Sequence, residues 1–268
     1  MKIQTFIFNW KRHEANAAAL EEKIARLAHV VVINSEEGLS ARHPGWIHLD
    51  DSAYFSEQWN KAIELFNGDL LFHIQADVEF DRFDALFARV ESMWTKYTLG
   101  IYEPDIRVTI PWFRYDKSKL QPIEPDVFEI PMADCTCWFI DGQIVRKFPR
   151  VDVSVNKFGW GICGVMAALS QLNGRRCIRD YRFTVSHPRG RGYSSAVAEQ
   201  QRDVYIKSLA PELANETFRL DQLRRSAMDK TRATRNLRSL IARSKTLGPI
   251  ARRAAALLRE RGYLPPRS

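Results

Sequence analysis

Residues 3–34, IQTFIFNWKRHEANAAALEEKIARLAHVVVIN, decide the fold class. The run Ile3–Phe8 is largely apolar and stops at Asn9, as suits a buried parallel strand. Glu14–Ala28 then places Leu20, Ile24 and Leu27 on one helical stripe. His29–Asn34 is a β-branched run. Strand, helix and strand in about thirty residues make a βαβ unit.

The alternation continues outward. WIHLD (46–50) reads as a short strand. Ser56 is expected to cap a helix with Trp59, Ile63 and Phe66 on one face, closed by Asn67-Gly68. DLLFHIQ (69–75) is the next strand, and Asp81 is expected to cap a helix with Leu86, Val90 and Met93 inward. Such a pattern predicts an α/β fold, a mainly parallel sheet flanked by helices. Ligands in these sheets sit at the carboxyl ends of the strands. Asn9, Asn34, Asp50 and Asp77 fall at predicted strand ends and so converge on one edge. Further on, RVTIPWFRY (107–115) reads as an edge or bent strand because it holds a proline. CTCWFI (135–140) is another strand, with Cys135 and Cys137 expected on the same face. Gly161–Asn173 reads as a helix with Val165, Leu169 and Leu172 inside, followed by a strand that ends at His187.

Composition bounds the rest. The chain has 268 residues, 45% hydrophobic and 27% charged, enough for a sizeable core. No apolar run reaches the roughly 20 residues of a bilayer span, and the first apolar stretch is too short for a signal-peptide core. Four cysteines fit a reducing compartment, so a cytoplasmic protein is expected. The net charge of +8 is unevenly placed. Residues 1–218 hold 26 Lys+Arg and 29 Asp+Glu, while residues 219–268 hold 14 and 3. The sequence therefore divides into a near-neutral domain, 1–218, and a basic helical C-terminal extension, 219–268. Leu237, Leu240 and Ile241 form an apolar edge beside its arginines. A basic amphipathic helix suits an anionic membrane surface, peripherally on the inner face, and equally suits packing on the domain. No nucleic-acid-binding motif accompanies the charge, so nucleic acid is not an expected partner.

The sharpest chemical feature is GDLLFHIQADVEFD (68–81), which delivers Gln75, Asp77 and Glu79 to the sheet edge. A carboxylate there can hold a divalent cation that bridges two phosphates, or can simply open a loop. In its wider context, FSEQWNKAIELFNGDLLFHIQADVEF (55–80) resembles the central stretch of family 2 glycosyltransferases, nucleotide-sugar enzymes of the GT-A fold. FIFNWKR (6–12), VVVINSEEG (30–38), DCTCWFIDGQIVRKFP (134–149) and NKFGWGICGVMAALSQLNGRRCIRDYRFTVSHP (156–188) are similar to further blocks of that family, in the same order.

The resemblance implies a GT-A fold and transfer of a sugar from a nucleoside-diphosphate donor to a hydroxyl of a glycan or lipid-linked glycan. It implies a divalent cofactor, Mn²⁺ or Mg²⁺, held by Asp77 and His187. It places Asn9, Asn34, Ser35 and Gln75 near the nucleotide, with Gln75 in the first acidic position of an Asp-x-Asp motif. Trp160, between two glycines, is expected to stack on the acceptor. Arg189 in HPRGRGY (187–193) is expected to clamp the diphosphate. Relatives carry a carboxylate after Gly-Trp-Gly as general base, where this chain has Ile162 and Cys163. Asp134 is the expected substitute and Asp152 the other option. The alternative is a glycosyltransferase-like binding protein without turnover.

Overall fold

The computed structural model describes residues 1–108, 114–187 and 193–228. Its elements run β1 (Ile3–Asn9), α1 (Glu14–Ala25), β2 (His29–Asn34), β3 (Ile47–His48), α2 (Phe55–Leu65), β4 (Leu70–Gln75), α3 (Phe83–Lys96), β5 (Leu99–Val108), β6 (Gln121–Glu124), β7 (Val127–Glu129), β8 (Cys137–Asp141), α4 (Gly142–Lys147), α5 (Ile162–Leu172), β9 (Arg176–His187), α6 (Ser195–Ser208) and α7 (Pro211–Ala227).

Among the described residues the strands form one sheet in the order β3-β2-β1-β4-β8-β5-β9-β7-β6. The half from β3 to β4 is parallel throughout, as the βαβ pattern predicts. β8 is antiparallel to both of its neighbours, β5 and β9 are parallel, and β7 and β6 close the edge antiparallel. The sheet is thus α/β and mixed, and its parallel character is confined to part of it. β1 is buried along its whole length because helices cover both faces of the sheet.

Side-chain alternation divides the core in two. Phe6, Phe8, Leu71, Trp138 and Ile140 join α2, α4, α5 and the last helices on one face. Ile3, Ile7, Phe72, Ile74 and Phe139 join α1 and α3 on the other. The helix α5 is buried on nearly all sides because α7 lies over it. A Cβ at Gly164 would sit 3.1 Å from Thr217 Cγ2, so the small residue sets that approach.

Several local expectations are corrected. Ser56 does not cap α2: it is a buried helical residue, and the cap position is Tyr54. Asp81 does not cap α3, because its carboxylate pairs with Lys23 of α1 at 2.6 Å. Cys135 and Cys137 do not share a face. Cys135 precedes β8 and packs on the α5 side, whereas Cys137 faces α3. Leu172 is exposed. Of the basic extension, residues 219–228 are described and continue α7, which runs unbroken across position 218. Leu220 and Ala227 of this stretch are buried. Leu237, Leu240 and Ile241 lie outside the described residues, as does Arg189. Among the described residues no helix is long and apolar enough to cross a membrane.

Candidate active site

The strand ends meet as the alternation predicts. Asn9, Asn34 and Asp77 stand at or just beyond the carboxyl ends of β1, β2 and β4, and all are buried. Asp50 departs from the group: it lies exposed past β3, its carboxylate accepting from the Ser52 amide at 2.8 Å.

The side-chain amides at the ends of β1 and β2 are engaged with one another. Asn9 Nδ2 donates to Asn34 Oδ1 at 2.7 Å, and Asn34 Nδ2 donates to the Glu36 carbonyl at 2.8 Å. Ser35 Oγ donates to the Asn9 carbonyl at 3.3 Å. Beneath them the Gln58 side chain donates to the carbonyls of Asn9 (2.8 Å) and Ile33 (3.2 Å). Each bond satisfies a polar group that burial would otherwise strand. Gln58 was not legible as a site residue, because a polar residue in a helix's first turn carries no signal of what it faces. Gln75 is half-buried at the end of β4, where its backbone N–H donates to the Thr136 carbonyl at 3.0 Å.

Asp77 and His187, 110 residues apart, are brought into contact by the loop after β4. Glu79 and Ser186 exchange backbone hydrogen bonds of 2.9 and 3.0 Å, which fastens that loop to the end of β9. His187 Nε2 then donates to Asp77 Oδ2 at 2.9 Å. Burial alone would lower the His187 pKa, but the hydrogen bond and charge of Asp77, with Asp134 adding, turn the net direction upward. The second Asp77 oxygen, Oδ1, is buried with no hydrogen-bond partner among the described residues. A buried carboxylate oxygen left open beside an imidazole fits a divalent cation once the ring gives up the Nε2 proton it directs at Asp77. Mg²⁺-like ions take one or two protein ligands and complete their shell with phosphate oxygens and water. The described residues hold no group of three or more His, Cys, Asp or Glu side chains for a metal, so the set fits a substrate-completed site and not a closed cage.

Asp134 is half-buried and close enough to act on His187 electrostatically. Its Oδ1 accepts from the Thr136 amide (3.1 Å) and hydroxyl (2.8 Å), and its own amide donates to Glu103 Oε2 at 2.7 Å. Glu103 is fully buried and accepts from Arg179 Nε at 2.7 Å. Burial pushes the Glu103 carboxyl up to about 8 against the pull of Arg179. This pair under the Asp134 loop had no sequence signature, since its members lie 76 residues apart on neighbouring strands. Asp152 is exposed and turned to the Ser154 amide and hydroxyl.

Cys163 sits in the first turn of α5, behind Gly159 and Gly161, whose φ angles of +76° and +95° require glycine. Its thiol hydrogen-bonds to Cys135, which, with burial, pushes the Cys135 thiol well up. Neither thiol is thereby made a substitute for a carboxylate base. Trp160 is half-buried, its Nε1–H donating to Tyr193 Oη at 3.0 Å.

No protein-family model matches the sequence, and no curated protein matches it. Solved structures do. GalNAc-T7 with UDP, GalNAc and Mn²⁺ superposes with a TM-score of 0.58 at 12% identity, over 80% of this chain and 49% of that one. A mannosyltransferase from Pyrobaculum calidifontis, in complex with GDP-Man and Mn²⁺, gives 0.54 at 15%, over 98% and 81%. Residues 1–349 of TarS from S. aureus, with UDP-GlcNAc, give 0.53 at 12%, over 88% and 70%. The fold is that of the GT-A glycosyltransferases. The chain spans about half the length of the first of these neighbours. At such identities the GT-A likeness establishes architecture, and chemistry has to be argued from the side chains.

Proposed function

We propose that this chain is a metal-dependent glycosyltransferase that moves a sugar from a nucleoside-diphosphate donor to a hydroxyl of a glycan or lipid-linked glycan. The observation that carries the reading is the Asp77–His187 contact of 2.9 Å with Asp77 Oδ1 left open beside it. The three fold neighbours were crystallised with UDP, GDP-Man or UDP-GlcNAc, two of them with Mn²⁺, which supports the same donor class here. The alternative of a binding protein without turnover finds no support in them.

In this reading Asp77 and His187 are the protein ligands of Mn²⁺ or Mg²⁺. When bound, the cation supplies charge neutralisation for the departing diphosphate. Asn9, Asn34 and Ser35 shape the base and ribose end of the cleft, with Gln58 bracing them from below, and Gln75 lies between that end and the metal ligands. Asp134, held through its amide by Glu103, takes the proton from the acceptor hydroxyl. Trp160 contacts the acceptor. The basic stretch 219–268 favours an anionic membrane surface, so liposome pelleting is expected to weaken when residues 229–268 are removed.

The test is calorimetric titration of UDP and GDP with and without Mn²⁺, followed by a transfer assay. Metal-dependent binding of at least one diphosphate that Asp77→Asn abolishes is expected. Absence of binding by both in a folded protein overturns the proposal.

A further inference from the structure

The four cysteines fall into two kinds. Cys137 and Cys177 are fully buried and lie in the two separate apolar cores, so they reach neither solvent nor each other. They behave as small apolar side chains. Cys135 and Cys163 are half-buried, pack on the same core, and hydrogen-bond through their thiols. These two are accessible and already in contact, and no step of the proposed transfer uses them.

The backbone brings the two sulfurs together. Cys135 belongs to the turn before β8, where Asp134 Oδ1 accepts from the Thr136 amide and hydroxyl and the Asp134 amide donates to Glu103. Cys163 belongs to the first turn of α5. Three residues before Cys135, Met132 Cε lies 3.1 Å from where a Cβ on Gly164 would stand, so the two segments are tightly packed beside the cysteines. A thiol in the first turn of a helix reacts as a nucleophile more readily than one enclosed in apolar surroundings. The hydrogen bond with Cys163, together with burial, holds the Cys135 thiol well above the ordinary thiol range. Cys163 is therefore the sulfur that attacks first, and Cys135 the one that resolves.

We propose that Cys135 and Cys163 are a redox modification site, at which exchange with a low-molecular-mass disulfide closes an intramolecular disulfide between the Asp134 turn and α5. The Cys163 thiol gives its proton to water and attacks one sulfur of the reagent, which expels its other half as a thiolate and leaves a mixed disulfide. The Cys135 thiol then gives up its proton and attacks the Cys163 sulfur, expelling the second half. The protein loses two electrons and two protons, and the reagent is reduced to two thiols. Bonded sulfurs stand about 2 Å apart, closer than a hydrogen-bonded pair, so closure draws the Asp134 turn against α5. With Asp134 as the base, that displacement slows transfer. This last consequence alone rests on the glycosyltransferase reading.

The test is incubation of the full, prereduced chain with glutathione disulfide, then acid quench, alkylation of the remaining thiols and tryptic mapping without reduction. Cys135 falls in the tryptic peptide 120–146 and Cys163 in 158–175. The two are expected joined, two hydrogens lighter than their sum, in a monomeric chain with two alkylated cysteines. The joined peptide should persist in Cys137→Ala and vanish in Cys135→Ser and in Cys163→Ser. If a variant fails to fold, fragment ions of the wild-type pair assign the bond to Cys135 or Cys137. Bonding through Cys137 or Cys177, joining of two chains, glutathione adducts with no joined peptide, or no reaction at all overturns the site. On the same samples the joined form is expected to transfer sugar at least about tenfold more slowly, with recovery in dithiothreitol and unchanged Mn²⁺-dependent binding of UDP or GDP. Equal rates in the two forms overturn the slowing. A joined peptide in a chain that neither binds diphosphate nor transfers sugar ends the glycosyltransferase reading and supports the site.

Discussion

Two stretches of the sheet's rim face the same problem with different chemistry. Where β1 and β2 end, the groups left over are neutral amides, and Asn9, Asn34, Ser35 and Gln58 engage one another. Where β4 and β9 end, the groups are ionisable, and Asp77, His187 and Asp134 gather with an open oxygen among them. The first arrangement closes most of its valences in a neutral network and leaves one buried oxygen open, Asn9 Oδ1. The second leaves open an oxygen of a carboxylate, Asp77 Oδ1. Each end thus holds an unfilled valence, and what separates the two is that one set is neutral and the other ionisable.

The comparison is broken most severely through the buried pair that supports the ionisable side. Arg179→Met leaves Glu103 buried without its partner and is expected to cost about 3–5 kcal/mol of stability by chemical denaturation. The double variant with Glu103→Gln should recover part of that loss. Equal stability of the single variant and wild type would show that the pair supports nothing.

Next in size, Asp77→Asn should lower kcat/KM by at least about 100-fold, roughly 3 kcal/mol, with the melting temperature little changed. On the amide side the pattern should invert. Gln58→Leu removes the side-chain donor to the Ile33 carbonyl and one of the donors to the Asn9 carbonyl, which keeps the Ser35 N–H at 3.0 Å, and is expected to cost about 1–3 kcal/mol of stability. If Asp77→Asn instead melts the protein while Gln58→Leu leaves it stable, the two stretches have been assigned the wrong way round.

The gentlest probe is pH. His73 is fully buried beneath the rim, accepts from Trp138 Nε1 at 3.2 Å, and burial pulls its pKa down to about 3. The unfolded chain binds the proton near pH 6.5 and the folded one does not, so this contribution is complete above that pH. It should fall by about 1.4 kcal/mol per unit as pH drops from roughly 6.5 towards 3. His73→Gln should flatten that dependence in thermal melts recorded from pH 7 to pH 5, and an unchanged slope would place its origin elsewhere.

The parallel part of the fold was legible because each strand there is a continuous apolar run bounded by a polar residue, and each helix shows its stripe. The second half was legible less well. RVTIPWFRY (107–115) marked a strand too late, since β5 begins at Leu99 and ends at Val108, and residues 109–113 lie outside those described. Its Glu103 is a buried charge inside a strand, which breaks the apolar pattern, and only the tertiary partner Arg179 explains it. β6 and β7 are short and polar-edged, with no run to detect. At the site, Asp77 and His187 were legible from their motif context. The Phe158–Tyr193 stack at 4.2 Å, with Tyr54 edge-on to both, was not, because it joins three loops distant in the chain.

The pairing of Glu79 with Ser186 also has a bearing on assembly during synthesis. A ribosome that has released β4 has made every residue of the Asp77 loop, and Ala76 can already donate to the Phe8 carbonyl, yet Asp77 and Glu79 lack their β9 partners until that strand emerges more than a hundred residues later. The Asp77–His187 pair is thus among the last contacts the growing polypeptide can complete. A nascent chain halted before Ser186 lacks the clasp, and under the proposed function metal affinity would serve as a readout of the moment when the two halves of the molecule have met.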